Sequence, residues 1–239
     1  LGQSAAGKTD KNGELTVPEV EQTERHGVYI VGYTDGTFGP SRSMTRSEAA
    51  AIFARLLAEK NGDTISTAAN TKFADIPAHA WYSGYVKYLS NNGITYGKSK
   101  TIFAPNDAIT RAEFTTMAVR FFDVYGDGDA EIMEQFSGFN DVSSGYWAAE
   151  YIKYAALHGW INGYGDGSFH ADREINRAEV VTIVNRLLGR EADEDYIADN
   201  LRKLNTFPDV TKRHWAYYAV MEAANAHTAV LGESESWSK

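Results

Sequence analysis

The chain has 239 residues, 43% of them apolar and 23% charged, which is the composition of a water-soluble globular protein and enough for one fair-sized core or two small ones. With 23 basic against 32 acidic side chains the formal net charge is −9, and no basic cluster is present, which argues against a nucleic-acid partner. There is no cysteine, so disulfides and thiolate chemistry are excluded, and no apolar run approaches the roughly 18 residues of a membrane span.

Residues 1–24 are rich in Gly, Ser, Lys and Glu and are expected to be linker. The chain begins with Leu and shows no signal-peptide pattern, so it is expected to be a piece of a longer protein. "GYTDGTF" (32–38) then reads as an Asp-Gly turn between short extended pieces. It is followed by "MTRSEAAAIFARLL" (44–57), in which a polar tetrad opens an apolar run of helical period. The tetrad recurs in "ITRAEFTTMAVRFF" (109–122) and "INRAEVVTIVNRLL" (175–188), with Arg46, Arg111 and Arg177 spaced by 65 and 66 residues. Thr45, Thr110 and Asn176 are good N-caps, and Glu48, Glu113 and Glu179 stand where a capping box needs a carboxylate.

A second signature alternates with the first. It runs "FADIPAHAWYSGYVKYLSNNGI" (73–94), "FNDVSSGYWAAEYIKYAALHGWI" (139–161) and "FPDVTKRHWAYYAVMEAANAH" (207–227). Asp75, Asp141 and Asp209 each precede a tryptophan, Trp81, Trp147 and Trp215, by six residues. These segments predict helices with Trp81, Tyr85, Tyr88 and Leu89 on one face and Trp147, Tyr151, Tyr154 and Ala155 on another, stopped at Gly93 and Gly159. "DEDYIADNLRKL" (193–204) suggests one more helix, 123–137 reads as an acidic linker, and 232–239 as a loose tail whose Trp237 can dock. The chain therefore starts within one unit and completes it at the end. A closed threefold body follows more naturally than an open solenoid, which would leave two apolar ends to cap.

The glutamates are explained by capping. The arginines are not, because a cation at the first helical residue opposes the helix dipole. Two readings remain open: a salt bridge to an Asp of the adjacent loop, or an anionic ligand held by the guanidinium and free N–H groups of the helix end. The tryptophans are likewise either core residues or platforms for a sugar face. The six histidines show no metal-ligand spacing and no cofactor motif is present, so neither a metal nor a cofactor is expected.

The three-fold "GYTDGTF…MTRSE", "FADIPAHAWYSGYVKYLSNNGI…ITRAE" and "FNDVSSGYWAAEYIKYAALHGWINGYGDGSF…INRAE" resembles the S-layer homology (SLH) family over roughly residues 28–227. The resemblance implies a mainly α fold, a pseudo-threefold trimer of modules with a central helical bundle and three loop-bearing prongs. The expected division is a linker at 1–24, modules at 25–72, 73–138 and 139–206, a C-terminal half at 207–231 that completes the first module, and a tail at 232–239. It implies a non-catalytic, monomeric wall anchor at a bacterial cell surface, without membrane insertion, binding a pyruvylated secondary cell-wall polysaccharide. By motif position, Arg46, Arg111 and Arg177 are the expected carboxylate binders and Trp81, Trp147 and Trp215 the groove walls. Asp35, Gly36, Asp166 and Gly167 are the expected sugar-contacting loop. The middle loop, "TYGKSKTIF" (95–103), departs from this pattern, with Lys100 and Thr101 in place of Asp-Gly. An Arg→Ala change is expected to remove binding and spare the fold. The alternatives are a self-assembling lattice module and, third, a hydrolase of wall glycan.

Overall fold

The computed structural model describes residues 8–9, 15–16, 22–125, 136–232 and 235–238. Most of the expected N-terminal linker, the middle of the acidic segment 123–137 and part of the tail lie outside these residues. The described chain is mainly helical, with two short strands β1 (Lys8–Thr9) and β2 (Leu15–Thr16), then β3 (Gln22–His26), seven α-helices and a final hairpin β4 (His227–Leu231) and β5 (Ser236–Ser238). β3 pairs antiparallel with β4, and β4 with β5, so a strand near the start of the chain is zipped to its end. The strand β3 begins inside the segment expected as linker, and Trp237 of β5 is buried.

The three tetrad helices are α1 (Arg46–Asn61), α3 (Arg111–Tyr125) and α5 (Arg177–Leu188). Thr45 and Asn176 form full capping boxes with Glu48 and Glu179, and Thr110 exchanges the same pair of hydrogen bonds with Glu113. Left-handed Gly62 and Gly189 end α1 and α5. α1 packs on α3, and α3 on α5, with Phe53 against Phe114 and Phe121 at 5.3 and 4.9 Å between ring centroids.

The residues just before the caps join the three tetrads. Met44 N–H donates to Ile175 O at 2.9 Å, Ile175 N–H to Ile109 O at 3.0 Å, and Ile109 N–H to Met44 O at 2.9 Å. This is a closed ring of backbone hydrogen bonds made by three fully buried residues.

The Trp segments form the shorter helices α2 (Ser83–Asn91), α4 (Ala149–Leu157) and α7 (Tyr217–Ala224), which pack on α1, α3 and α5 in turn. Between α5 and α7 lies α6 (Glu194–Asn200), as expected. The buried face of the Trp segments differs from the expected one. It is Tyr82, Val86 and Leu89 in the first case and Ala148, Ile152 and Ala155 in the second. The tryptophans precede their helices and are exposed, because the helix begins two residues later than the periodicity suggested.

The Phe-x-Asp that opens each Trp segment is a clamp on a loop. Asp75 accepts from the N–H groups of Phe103 and Ala104, Asp141 from Phe169 and His170, and Asp209 from Phe38 and Gly39, at 2.6–3.2 Å. Gly39, Ala104 and His170 are all left-handed, with φ of 68°, 59° and 55°. A carboxylate across two successive N–H groups offsets the strain of a side chain there. The accompanying Phe207, Phe73 and Phe139 press on Gly32, Gly97 and Gly163, where an added Cβ would approach the ring to about 2.5 Å. Asp209 closes the chain onto its first loop. Asp209→Ala removes two charge-assisted hydrogen bonds and is expected to cost about 3 kcal/mol, read from a urea unfolding midpoint.

Candidate functional site

Each tetrad arginine turns its side chain away from its own helix and onto the next unit. Arg46 Nε donates to Phe103 O, Arg111 Nε to Phe169 O and Arg177 Nε to Phe38 O, all at 2.8 Å. Arg111 also donates to Asn162 O at 3.2 Å and Arg177 to Val31 O at 2.6 Å. The acidic partner is not a loop Asp, as the salt-bridge reading had it, but the capping glutamate of the neighbouring tetrad. Arg46 pairs with Glu113 at 3.0 Å, Arg111 with Glu179 at 3.0 Å, and Arg177 more loosely with Glu48 at 3.8 Å. Each glutamate thus uses Oε2 for its own cap and Oε1 for the neighbour's arginine. All three arginines are at most 5% exposed. Burial lowers the pKa of Arg111, opposed by Glu179, and lowers that of Arg177, opposed by Tyr33 and Glu48.

The expectation of free helix-end donors is corrected. Arg46 and Ser47 N–H donate to Asp107 O and Pro105 O, Arg111 and Ala112 to Arg173 O and Ala171 O, and Arg177 and Ala178 to Arg42 O and Pro40 O. The loop backbone therefore satisfies the helix ends. Of the five N–H donors of Arg111, contacts with Phe169, Asn162 and Glu179 use three, which leaves capacity for two more hydrogen bonds.

Two clefts open beside these arginines. One, about 200 Å³, is lined by Val31, Tyr33, Glu48, Arg55, Trp81 and Arg177 among others. The other, about 210 Å³, is lined by Asn162, Tyr164, Glu179, Arg186, Trp215 and Arg111 among others. Apart from Met44, which lines only the first, the two linings correspond residue for residue along the repeat. Trp215 faces the third loop and not the first, while Asp209 of the same segment grips the first loop, so one Trp segment serves two loops. Trp81, Trp147 and Trp215 are between 53% and 65% exposed, which places them at the surface rather than in the core.

Arg55 and Arg186 were missed by the sequence reading. The signal was present, since Arg55, Arg120 and Arg186 each follow a tetrad arginine by nine residues inside an apolar run. The middle unit uses these positions differently. Arg120 stacks over Tyr96 at 4.8 Å and donates to the Tyr151 hydroxyl. Tyr33 and Tyr164, each covered by an arginine (Arg42 and Arg173), give way to Lys98, which pairs with Asp107 at 2.8 Å. An aromatic–cation pair has become an ion pair in the same place.

Asp35, Gly36, Asp166 and Gly167 are not brought to either cleft lining among the described residues. Asp35 accepts from the N–H and hydroxyl of Thr37, and Asp166 from those of Ser168, fixing turns with Gly36 and Gly167 at φ near +80°. The middle loop keeps only the outer bond of this arrangement, Lys98 N–H to Ile102 O at 2.8 Å; Ser99 Oγ accepts from Ile102 N–H, and the left-handed residue is Gly97, before Lys98. These carboxyls set an acid limit on stability. Hydrogen bonds from Thr37 and Ser168 hold the pKa of Asp35 and Asp166 low. Burial would raise that of Asp141, but the N–H groups of Phe169 and His170 outweigh it and lower it. A folded-state pKa below the unfolded one gives stability that is full above the unfolded value, about 3.9, and is lost as pH falls through the folded one. The urea midpoint is therefore expected to fall below about pH 4, and Asp141→Asn to make that fall shallower.

The S-layer homology domain profile matches residues 16–50, 72–115 and 138–181. Cell surface glycoprotein 1 of Acetivibrio thermocellus is 34% identical over 88% of this chain, which spans 9% of that protein. The cellulosome-anchoring protein of the same organism is 30% identical over 97% of the chain, which spans 49% of it. The surface-layer 125 kDa protein of Lysinibacillus sphaericus is 32% identical over 66% of the chain, which spans 13% of it. The chain thus spans about half or less of the length of these relatives. No described helix is long and apolar enough to cross a membrane. These matches show the family: the chain belongs to the S-layer homology family and is a cell-surface module.

Proposed function

We propose that this chain is a non-catalytic anchor that holds a bacterial surface protein to the wall by binding an acidic, pyruvylated secondary cell-wall polysaccharide. The single observation that carries this is the pair of corresponding clefts, each with a buried guanidinium, a second arginine and an exposed indole. A planar carboxylate suits the guanidinium of Arg177 or Arg111 together with that of Arg55 or Arg186 in the same cleft, and a sugar face suits Trp81 or Trp215. The protein is acidic overall, so attraction of an acidic polymer has to be local. Two clefts on one polymer add avidity.

The pseudo-threefold trimer of modules, 25–72 completed by 207–231, then 73–138 and 139–206, belongs to the same proposal. The closed backbone ring of Met44, Ile109 and Ile175 and the grip of Asp209 on the first loop support it. The non-catalytic reading is supported by the carboxylates, since each cleft lining contains one, Glu48 or Glu179, already committed to a cap and an arginine. Glycoside hydrolysis ordinarily needs two.

Co-sedimentation with purified wall polymer tests the anchor. Trp81→Ala and Trp215→Ala remove exposed rings and leave the core unchanged. Each is expected to weaken binding about tenfold, as loss of an aromatic contact does, and the double variant to lose avidity as well. Wild-type retention by both, in folded protein, counts against the clefts as the binding surface.

A further inference from the structure

Two histidines and two glutamates, from four separate segments, converge where the ends of the chain meet. His26 ends β3, Glu222 lies on α7, His227 begins β4, and Glu235 stands just before β5. His26 and His227 are register partners across the β3–β4 ladder. Their ligand-type atoms all lie within 4.8 Å of one another, and the side chains are at most 5% exposed.

The nearest approaches within the cluster are close to those between ligands of a coordination shell. His26 Nδ1 is 3.1 Å from His227 Nε2, 3.2 Å from Glu222 Oε1 and 3.3 Å from Glu235 Oε1. His227 Nε2 is 3.3 Å from Glu222 Oε2 and from Glu235 Oε1. Four donors about 2.0–2.1 Å from a tetrahedral ion are separated by about 3.3–3.4 Å.

The surroundings prepare these atoms as ligands. His227 Nδ1 faces Asn225 O at 3.0 Å, so its N–H lies there and Nε2 is the ring nitrogen turned into the cluster. His26 Nε2 has Glu24 at 4.0 Å as an outer carboxylate. The Trp237 indole N–H donates to Glu235 Oε1 at 3.1 Å, and its ring stacks on His227 at 3.8 Å and 13°. Glu222 Oε2 makes no hydrogen bond although it is buried, which is costly for a polar oxygen. Arg190 is the nearby cation, and two carboxylates outnumber it.

We propose that His26, Glu222, His227 and Glu235 form a four-coordinate site for a divalent cation of the zinc type, which clamps the N-terminal strand to the last helix and the C-terminal hairpin. Two imidazoles and two carboxylates suit zinc among the available cations, and a closed set of four protein ligands marks a structural rather than a catalytic ion. The ligands lie 196–209 residues apart between the two ends of the chain, so no sequence spacing announces them.

The chelator-treated chain is titrated with zinc chloride by calorimetry and with cobalt chloride by visible absorbance. One ion per chain is expected, with the intense cobalt band of tetrahedral coordination. The melting temperature is expected to rise by about 5–10 °C at hundredfold excess over the dissociation constant. His227→Gln and Glu222→Gln, checked for folding by circular dichroism, should weaken binding by more than the about 10–100-fold typical of an outer-shell change, while His79→Gln, at an exposed position, leaves it unchanged. Absence of saturable zinc or cobalt uptake by the wild-type chain at millimolar metal overturns the proposal, as does undiminished affinity in a folded His227→Gln variant.

Discussion

Arg46→Ala lowers the stability of the fold by about 3 kcal/mol, and does so without any ligand present. The guanidinium is buried, donates to Phe103 O and pairs with Glu113 at 3.0 Å. Alanine leaves the carbonyl short of a donor and the carboxylate short of its cation. The loss belongs at the low end of what breaking a buried pair costs, because Glu113 remains partly in contact with water. In a chain of this size it corresponds to a melting temperature lower by about 6–12 °C. At the acidic partner, Arg111→Ala should cost less, because Arg173 also contacts Glu179, whereas Asp107 stands at the matching position beside Arg46. The expectation that the tetrad arginines can be removed with the fold untouched is therefore revised: they tie each unit to the next, and a binding defect in such a variant has to be separated from partial unfolding.

The second large effect is on binding. In the proposed complex Arg55 and Arg186 contribute to ligand capture while carrying little of the fold. Arg186 is exposed, and Arg55 is held by a 3.3 Å hydrogen bond to Tyr29 O and by the Tyr85 ring. A charge-assisted hydrogen bond to a carboxylate is worth about 1.5–3 kcal/mol, so each arginine lost from its cleft should weaken capture of an acidic sugar about 10- to 150-fold. Arg55→Ala combined with Arg186→Ala affects both clefts and should abolish retention on wall polymer at concentrations where the wild type is retained. The thermal midpoint should stay within a few degrees. Fluorescence anisotropy of a labelled polymer fragment measures the first quantity and calorimetry the second.

Local physics explains which features could be anticipated. A capping box is complete within four residues, so Thr45 with Glu48 and Asn176 with Glu179 read directly from sequence, as did the periodic faces that bury Phe53, Phe114 and Val184. The partner of a tetrad arginine could not be read this way. Glu113 is 67 residues from Arg46, and only the closing of the ring brings them together. The same holds for the clamp of Asp209 on Phe38 and for the meeting of His26 with His227. The tryptophans could be read either as core or as sugar platforms, because indole joins a large apolar body to a polar N–H and local sequence does not say which residue of the segment turns inward. Tyr82 and Ala148, the neighbours of Trp81 and Trp147, are the residues that turn inward. Arg55 and Arg186 carried a repeat signal of their own, obscured by the apolar residues around them.

The claim at the centre of this account is that arginine-lined clefts select a sugar by its carboxylate. Isothermal titration of the wild-type chain with a pyruvylated disaccharide, and with the same disaccharide lacking the pyruvate, measures it directly. The account predicts that the carboxylate-bearing sugar binds at least about tenfold more tightly. Equal affinities for the two sugars would contradict it.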